Sequence, residues 1–178
     1  GVEQADSWAT DAHKWLNVPY DSGLVFCAHP DAHRAALSAT AAYLVQTEGR
    51  ERDPFEWSPE FSRRARGFPI WAALVSLGRE GVAAMVEGCC DRARRFADRL
   101  RAHDGVEILN DVVLNQVLVR LVDGPTTERL LAEVQRDGRI WCGPTQWAGA
   151  TAMRISVSSW KTTPADADRA ASIILECA

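Results

Sequence analysis

The sequence predicts an α/β fold that ends in a smaller α+β part. Short strand-like segments alternate with helical patterns along the 178 residues. A long amphipathic stripe over residues 80–102 separates the two parts, and the segments after it alternate as two strands, a helix, two strands and a helix. With 47% apolar residues, the chain is long enough for one sizeable core or two small ones.

The first part is expected to contain two strands followed by a helix. Residues 4–9 mix polar and β-favouring types, and residues 23–28 form an apolar run that begins after a turn. Pro30 opens a helical pattern that reaches about Ala41, with Asp31 as an acidic residue in the first turn. The predicted order is therefore strand, turn, strand and helix.

A long loop is predicted next, at residues 43–62. It has little periodicity and contains Pro54 and Pro59. Loops of about twenty residues in folded domains are usually functional or mobile, so this segment is a candidate lid. Ser62 is expected to cap a helix that runs to Leu77, where Gly78 ends it.

The second part begins with a helix from Glu80 to Ala102. Its apolar stripe includes Val82, Met85, Val86, Cys89, Ala93, Phe96, Ala97 and Leu100. The elements expected after it are strands at 106–109 and 116–122, a helix at 126–137, strands at 140–142 and 153–158, and a helix at 164–176. We place a domain boundary near Arg79, which divides the chain into residues 1–79 and 80–178.

Composition excludes several classes of function. The net charge of −4 and the short basic cluster at 63–66 do not indicate a nucleic-acid partner; this cluster is interpreted as a solvated or ion-paired helix start. No apolar run is judged long enough to cross a membrane, and no signal peptide is recognised. Five cysteines without metal-ligand spacing are expected to be free thiols in a reducing, cytoplasmic compartment. No metal site is predicted, since His29 and His33 lack a third ligand.

The most informative stretch is Asp11-Ala12-His13-Lys14-Trp15-Leu16. It places a lysine close to the end of a predicted strand and before a Pro-containing turn. A lysine amine can form an imine with an aldehyde cofactor, and this chemistry requires one positioned lysine. The only other lysine, Lys161, lies among polar residues and is interpreted as solvated.

This stretch resembles the group II pyridoxal-phosphate (PLP) amino-acid decarboxylases. Their signature is Asp-Ser-x-x-x-[Asn/Asp]-[Pro/Ala]-His-Lys-Trp-Leu, which residues 6–16 match. The similarity continues through Ser62–Trp71 and Met153–Val157, so it covers almost the whole chain. The resemblance implies a fold-type I, aspartate aminotransferase-like architecture. Residues 1–79 would then be the C-terminal part of the PLP-binding large domain, and residues 80–178 the connecting helix and small domain.

The resemblance also implies roles near the cofactor. Lys14 would be the Schiff-base lysine and His13 would contact the phosphate region of PLP. Asp11 occupies a position where the family has Asn or Asp. An ionised Asp cannot donate a hydrogen bond to phosphate, so we assign Asp11 to backbone contacts or to supporting a neighbouring site residue.

Two further residues are implied to act on the substrate. Tyr43 resembles the tyrosine that the family carries on a mobile loop, where a phenol can protonate the carbon that has lost CO₂. An exposed loop tyrosine is the competing interpretation. Arg154 resembles the arginine that binds the substrate carboxylate in many fold-type I enzymes, and arginine suits this planar contact. A surface arginine on a strand is the alternative.

Several features that the family carries upstream of its lysine were not found in the chain. They are a phosphate cup, a ring-stacking histidine and an aspartate that pairs with the pyridinium nitrogen. The chain is therefore interpreted as the C-terminal portion of an enzyme: a fragment, a processed piece or one member of a split pair that would need the missing N-terminal part.

The expected activity is PLP-dependent decarboxylation of an L-amino acid by a homodimer. Aromatic, acidic and diamino acids are all open as substrates. The alternatives are oxidative deamination or C–S lyase chemistry on the same scaffold, and a non-catalytic fragment that only dimerises through an exposed apolar surface.

Overall fold

The chain forms two structural units, Gly1–Ser76 and Leu77–Ala178. This computed structural model describes residues 1–38, 52–123 and 125–178. Helices and strands alternate through the first unit, and the second unit combines a four-stranded sheet with helices.

A two-stranded antiparallel sheet organises the first unit. β1 (Ser7–Asp11) pairs with β2 (Gly23–Cys27), from Ser7 opposite Cys27 to Asp11 opposite Gly23. The predicted first strand starts too early, because residues before Ser7 lie beyond the end of β2 and instead form a 3₁₀ turn, Val2–Gln4. Between the strands lies the one-turn helix α1 (Ala12–Trp15).

Helix α2 (Pro30–Leu37) follows β2 and is shorter than predicted. Ser38 takes an extended conformation, with φ −66° and ψ 121°, so α2 ends at Leu37; the predicted end near Ala41 lies outside the described residues. Serine favours such ends because its hydroxyl competes with helical backbone hydrogen bonds. The described part of the predicted loop contains a 3₁₀ turn, Pro54–Glu56.

Helix α3 (Gly67–Arg101) contains a break at Gly78, where φ is 62° and ψ is −175°. The predicted helix end at Gly78 is confirmed, since this conformation suits glycine and interrupts the regular helix. The predicted start at Ser62 is wrong, because Arg64 and Arg66 are engaged with Asp21 in a turn before Gly67. Ahead of the break, Ile70 packs with Ala12 and Val18 in a small core.

The second unit is a four-stranded antiparallel sheet with strand order β3-β4-β6-β5. Its strands are β3 (Val106–Ile108), β4 (Gln116–Leu121), β5 (Gly143–Trp147) and β6 (Ala150–Ser156). The predicted strand at 140–142 is wrong, and β5 begins just after it. Helices α4 (Thr127–Asp137) and α5 (Pro164–Cys177) complete the unit.

The core of the second unit lies between the sheet and its helices. The predicted stripe of α3 supplies Ala93, Phe96, Ala97 and Leu100, all buried. The sheet and the other helices contribute a second set, which includes Val117, Val119, Leu130, Val134, Met153, Ile155 and Ile174. This apolar core fixes β6, and therefore fixes which side chains of β6 face away from it.

Helix α3 is long and apolar enough, by length and composition alone, to be a candidate membrane span. The prediction that no apolar segment is long enough to cross a membrane is therefore wrong when judged by length and composition alone. The break at Gly78 argues against a single span, because residues 67–77 rise only about 16 Å as a helix, roughly half of a bilayer core. In the part of the chain that the structure describes, no cluster of three or more His, Cys, Asp or Glu residues could hold a metal ion.

Candidate active site

Lys14 lies on α1, directly after the end of β1. Asp11 closes the strand and occupies the N-cap of the helix, while buried Ala12 anchors the turn in the small core. Asn17 ends the turn in a left-handed conformation, with φ 52°, and its side-chain amide donates to the Lys14 carbonyl at 3.3 Å. The lysine is thus placed at a strand end by local structure, as the sequence indicates.

The Lys14 amine is paired with Asp11. The distance from Lys14 Nζ to Asp11 Oδ2 is 2.7 Å, and the lysine side chain is 66% exposed. The hydrogen bond from Lys14 lowers the pKa of the Asp11 carboxyl, and the same contact raises the pKa of the Lys14 amine. The amine is accessible, but its carboxylate partner favours the ammonium form.

His13 is fixed by the main chain of Ser22. His13 Nδ1 lies 2.9 Å from the Ser22 carbonyl oxygen and 3.1 Å from the Ser22 amide nitrogen. The Tyr20 ring packs at a tilt against the imidazole, with 4.1 Å between ring centroids. Because Nδ1 is occupied by the backbone, Nε2 is the nitrogen available to a ligand.

Ser22 is a site residue that the sequence analysis missed. It is 2% exposed, and its hydroxyl oxygen is buried with no hydrogen-bond partner in the described structure. Buried polar atoms normally have a partner, so the hydroxyl of the residue that holds His13 is an exception. The only sequence signal was a small polar residue immediately before an apolar strand.

The turn that contains Ser22 is tied to the segment before α3. Asp21 accepts hydrogen bonds from the guanidinium groups of Arg64 and Arg66, at 3.1 to 3.2 Å. The contact with Arg66 lowers the pKa of the Asp21 carboxyl. The interpretation of this basic cluster as ion-paired is confirmed for Arg64 and Arg66.

Arg154 belongs to the second unit, on the face of β6 opposite the core. Its neighbours Met153 and Ile155 are buried while Arg154 is exposed, as the strand alternation predicts. In the register of the sheet it lies between Leu118 on β4 and Gly143 on β5. Within the described ranges we find no ion pair or hydrogen bond of its guanidinium, so the group is available for an anion.

Tyr43 lies outside the described residues. The described end of the same predicted loop is attached to α2, where Arg34 pairs with Glu56 at 2.8 Å. The Glu56 side chain is nearly fully buried in this contact. His33 Nε2 lies 3.1 Å from the Trp57 carbonyl oxygen. The two histidines considered for a metal are thus used separately, since His29 is paired with Asp6.

A family model for the pyridoxal-dependent decarboxylase conserved domain matches residues 1–122. The match lies in the N-terminal part of this chain, covers well over half of it and includes Lys14. The lysine on the turn after β1 is therefore part of the matched domain. The chain belongs to the pyridoxal-dependent decarboxylase family, a class of carboxy-lyases whose cofactor is pyridoxal 5′-phosphate.

Curated relatives extend the similarity beyond the family match. Histidine decarboxylase of Drosophila melanogaster is 28% identical over 92% of this chain and 20% of the relative. Aromatic-L-amino-acid decarboxylase of Drosophila lebanonensis is 27% identical over 93% and 42%. Phenylacetaldehyde synthase of Arabidopsis thaliana is 25% identical over 99% and 38%. The chain therefore spans less than half the length of each of these relatives.

Solved structures show the same fold. Catharanthus roseus tryptophan decarboxylase in complex with L-tryptophan superimposes with a TM-score of 0.87 and 23% identity, over 99% of this chain and 39% of that one. Oryza sativa TDC with PLP and tryptamine gives a TM-score of 0.91 and 21% identity, over 99% and 39%. The predicted fold, that of fold-type I decarboxylases, is confirmed over the part of these structures that the chain covers.

Proposed function

We propose that this chain is the lysine-bearing portion of a PLP-dependent enzyme that decarboxylates an L-amino acid to an amine and CO₂. The observation that supports this most directly is Lys14, an accessible amine at a strand end inside the family match. The cofactor, when bound, supplies the electron sink for cleavage of the bond to the carboxylate.

The residues around Lys14 fit the aldehyde and phosphate end of PLP. Lys14 offers a primary amine, and His13 offers an Nε2 that its Ser22 contacts leave free. The main chain of Ser22 holds the ring in place. We therefore propose that the Lys14 amine would bind the aldehyde carbon of PLP and that His13 Nε2 would donate a hydrogen bond to its phosphate.

The substrate would be oriented by Arg154 and protonated by Tyr43. An exposed guanidinium without a carboxylate partner in the described structure is suited to the carboxylate of an amino acid. Tyr43 would return a proton to the substrate carbon after CO₂ leaves.

Replacing Arg154 by lysine tests its proposed role. Arg154→Lys keeps the charge but loses the planar pair of donors, so KM should rise with less effect on kcat.

The position of this chain in the longer enzyme is also part of the proposal. Residues 1–79 would belong to the PLP-binding domain and residues 80–178 to a connecting helix and small domain. The partner of the pyridine nitrogen and most of the phosphate cup would come from other parts of the protein. The family match, in the N-terminal part of this chain and not its C-terminal part, supports the role of residues 1–79 more directly.

Assembly and location are further proposals. Exposed apolar side chains on α3 before its break support a covering partner, which we propose is a second copy of the enzyme in the cytoplasm; they are Phe68, Trp71, Leu74 and Val75. Light scattering of the full-length enzyme tests this, since a monomer would contradict the homodimer.

Borohydride trapping tests the central proposal. The full-length enzyme is incubated with PLP, reduced and digested, and the modified lysine is located by mass spectrometry. We expect the adduct on Lys14, its loss in Lys14→Ala, and its retention in the matched variant Lys161→Ala. An adduct that survives Lys14→Ala unchanged would contradict the assignment.

Aldehyde formation is the second candidate reaction, because a phenylacetaldehyde synthase is among the relatives. Both reactions release CO₂, but the aldehyde-forming one also consumes water and oxygen, and it releases ammonia and hydrogen peroxide. Amine and CO₂ without oxygen uptake would support decarboxylation. If Tyr43 supplies the proton, Tyr43→Phe should shift products towards aldehyde and ammonia, whereas an unchanged product ratio would remove Tyr43 from the proposal.

A further inference from the structure

The carboxylate of Asp11 is directed to the Lys14 amine rather than to the backbone. Asp11 occupies the N-cap of α1 but makes no capping hydrogen bond with its side chain. Its Oδ2 instead lies 2.7 Å from Lys14 Nζ, and the carboxylate is less exposed than the lysine. An aspartate at an N-cap normally accepts from the backbone of the first turn, so this orientation needs another explanation.

We propose that Asp11 is a positioning residue that holds Lys14 as its ammonium form before the cofactor arrives, and thereby makes attachment of the aldehyde depend on pH. This inference rests on the proposed function, since it describes the preparation of the same lysine. Asp11 does not touch the reacting aldehyde carbon; it acts through Lys14.

The chemistry of attachment explains why this contact matters. An ammonium has no lone pair, so Lys14 must first release a proton to solvent. The neutral amine then attacks the aldehyde carbon, a carbon–nitrogen double bond forms, and the aldehyde oxygen leaves as water with the two remaining nitrogen protons. No electron is gained or lost overall. Asp11 stays ionised throughout, so its effect is to stabilise the state before proton release.

The other charged and titratable groups near the pair have smaller effects. The charge of His13, the neighbour of Lys14, slightly lowers the pKa of the Asp11 carboxyl. The charge of Tyr20 in the following turn slightly raises the pKa of the Lys14 amine. Asp21, in the same turn as Tyr20, is paired with arginines. The hydrogen bond between Asp11 and Lys14 is the largest cause of the raised pKa of the amine. Removing the Asp11 charge should therefore lower the pH at which Lys14 becomes reactive.

The chain provides its own reference amine. Lys161 is the only other lysine in this sequence. Its ammonium lies 5.5 Å from the centroid of the Trp160 ring and forms no ion pair with the residues that the structure describes. Trace labelling of the cofactor-free full-length protein with acetic anhydride, followed by peptide mapping, measures both lysines in one sample. The ratio of the two rates across a pH series reports the ionisation of Lys14 independently of PLP.

In Asp11→Asn the Lys14 labelling profile should move to lower pH. Near pH 8 the rate at Lys14 should rise about two- to fivefold relative to Lys161, since one pKa unit corresponds to about a tenfold change in free amine and the pair is exposed. Asp6→Asn is the matched control, because it removes the carboxylate that pairs with His29 and should leave the Lys14 profile unchanged. An Asp11→Asn profile equal to that of the parent protein would overturn the inference.

Two further measurements show whether misfolding of a variant or a failure of the proposed function explains the result. Asp11→Ser retains an N-cap oxygen without the charge, so it should give the same shift if the Asn variant misfolds. PLP attachment, followed by borohydride trapping, should also become faster at neutral pH in Asp11→Asn. If acetylation shifts but PLP never labels Lys14, the proposed function fails and the ion pair stands; if acetylation does not shift, the inference fails whatever PLP does.

Discussion

Asp168 on α5 holds two arginines of α3 in the second unit. It pairs with Arg95 through two hydrogen bonds of 2.8 and 2.7 Å, and Arg99 lies 3.6 Å away. The contact with Arg95 lowers the pKa of the Asp168 carboxyl. A group with a lowered pKa in the folded state stabilises the fold above its unfolded pKa, and this contribution is lost as pH falls through the folded value.

Asp168→Asn should therefore lower the melting temperature at neutral pH, and the difference from the parent protein should shrink as pH falls below about 4. Thermal unfolding followed by circular dichroism across a pH series measures this. Asp98→Asn is the control, since Arg101 on the same exposed helix face is the one ion-pair partner of Asp98 among the described residues. A difference that stays constant down to about pH 2 would argue that the charge of Asp168 is not responsible.

Leu100 is the clearest test of the core of the second unit, because its side chain is 0% exposed. Leu100→Ala should lower the free energy of unfolding by about 2–5 kcal/mol, through lost burial and a residual cavity. Leu114→Ala makes the same chemical change at a position that is 57% exposed, and should stay within about 0.5 kcal/mol. Denaturant unfolding of the two variants side by side gives the comparison; equal losses would contradict the core as described.

The sequence indicated that Lys14 follows a strand, but it did not indicate the contacts around this lysine. Lys14 could be found because a motif places it after a strand. The contacts of Ser22 with His13 join residues nine positions apart across a turn, and no periodic pattern encodes them. The pairing of Asp11 with Lys14 likewise depends on a single helical turn, after which the Asn17 amide donates to the Lys14 carbonyl.

The β5–β6 hairpin shows why one strand was misplaced. A strand was predicted at residues 140–142 because Ile140, Trp141 and Cys142 are apolar. The observed strand β5 instead contains Gly143 and Pro144, which are poor strand formers. Proline is tolerated there because β5 is the edge of the sheet and needs hydrogen bonds on one side only. Strand order is a property of the assembled sheet, so local composition could not reveal this exception.

The turn of that hairpin offers a stabilising change. Trp147 pairs with Ala150 around a two-residue loop in which Ala148 and Gly149 both have positive φ, 49° and 80°. Such loops favour Asn-Gly, and left-handed geometry costs an alanine roughly 1–2 kcal/mol. Ala148→Asn should raise the free energy of unfolding by about 0.5 kcal/mol, while Gly149→Ala should lower it by about 1 kcal/mol. Calorimetry measures both, and a destabilised Ala148→Asn would contradict the turn geometry.

The long helices could be predicted from the sequence, but which of their faces are exposed could not. The buried stripe of α3 after Gly78 was identified from periodicity alone. Before Gly78, the apolar residues Phe68, Trp71 and Val75 also recur at helical spacing but are exposed, whereas Ile70 is buried. Periodicity identifies an apolar face, but the chain segment that covers such a face need not lie in this sequence.

The two units differ in how much core each contains. The second unit has an extensive core from its sheet and three helices, whereas the described core of the first unit has only Ala12, Val18 and Ile70 as buried residues. A segment of residues 77–178 should therefore fold alone with a cooperative thermal transition, and a segment of residues 1–76 should not. Circular dichroism of the separate segments tests this. A sharp transition in the first segment would show that it is more self-sufficient than its packing implies.

The imidazole of His13 meets a donor and an acceptor at one nitrogen, the amide and the carbonyl of the same residue. Both contacts hold the ring at Nδ1, so the imidazole cannot rotate about its side-chain bonds without breaking them, and its opposite nitrogen keeps one direction. A ligand at that edge would therefore meet a polar atom whose position is set before the ligand arrives.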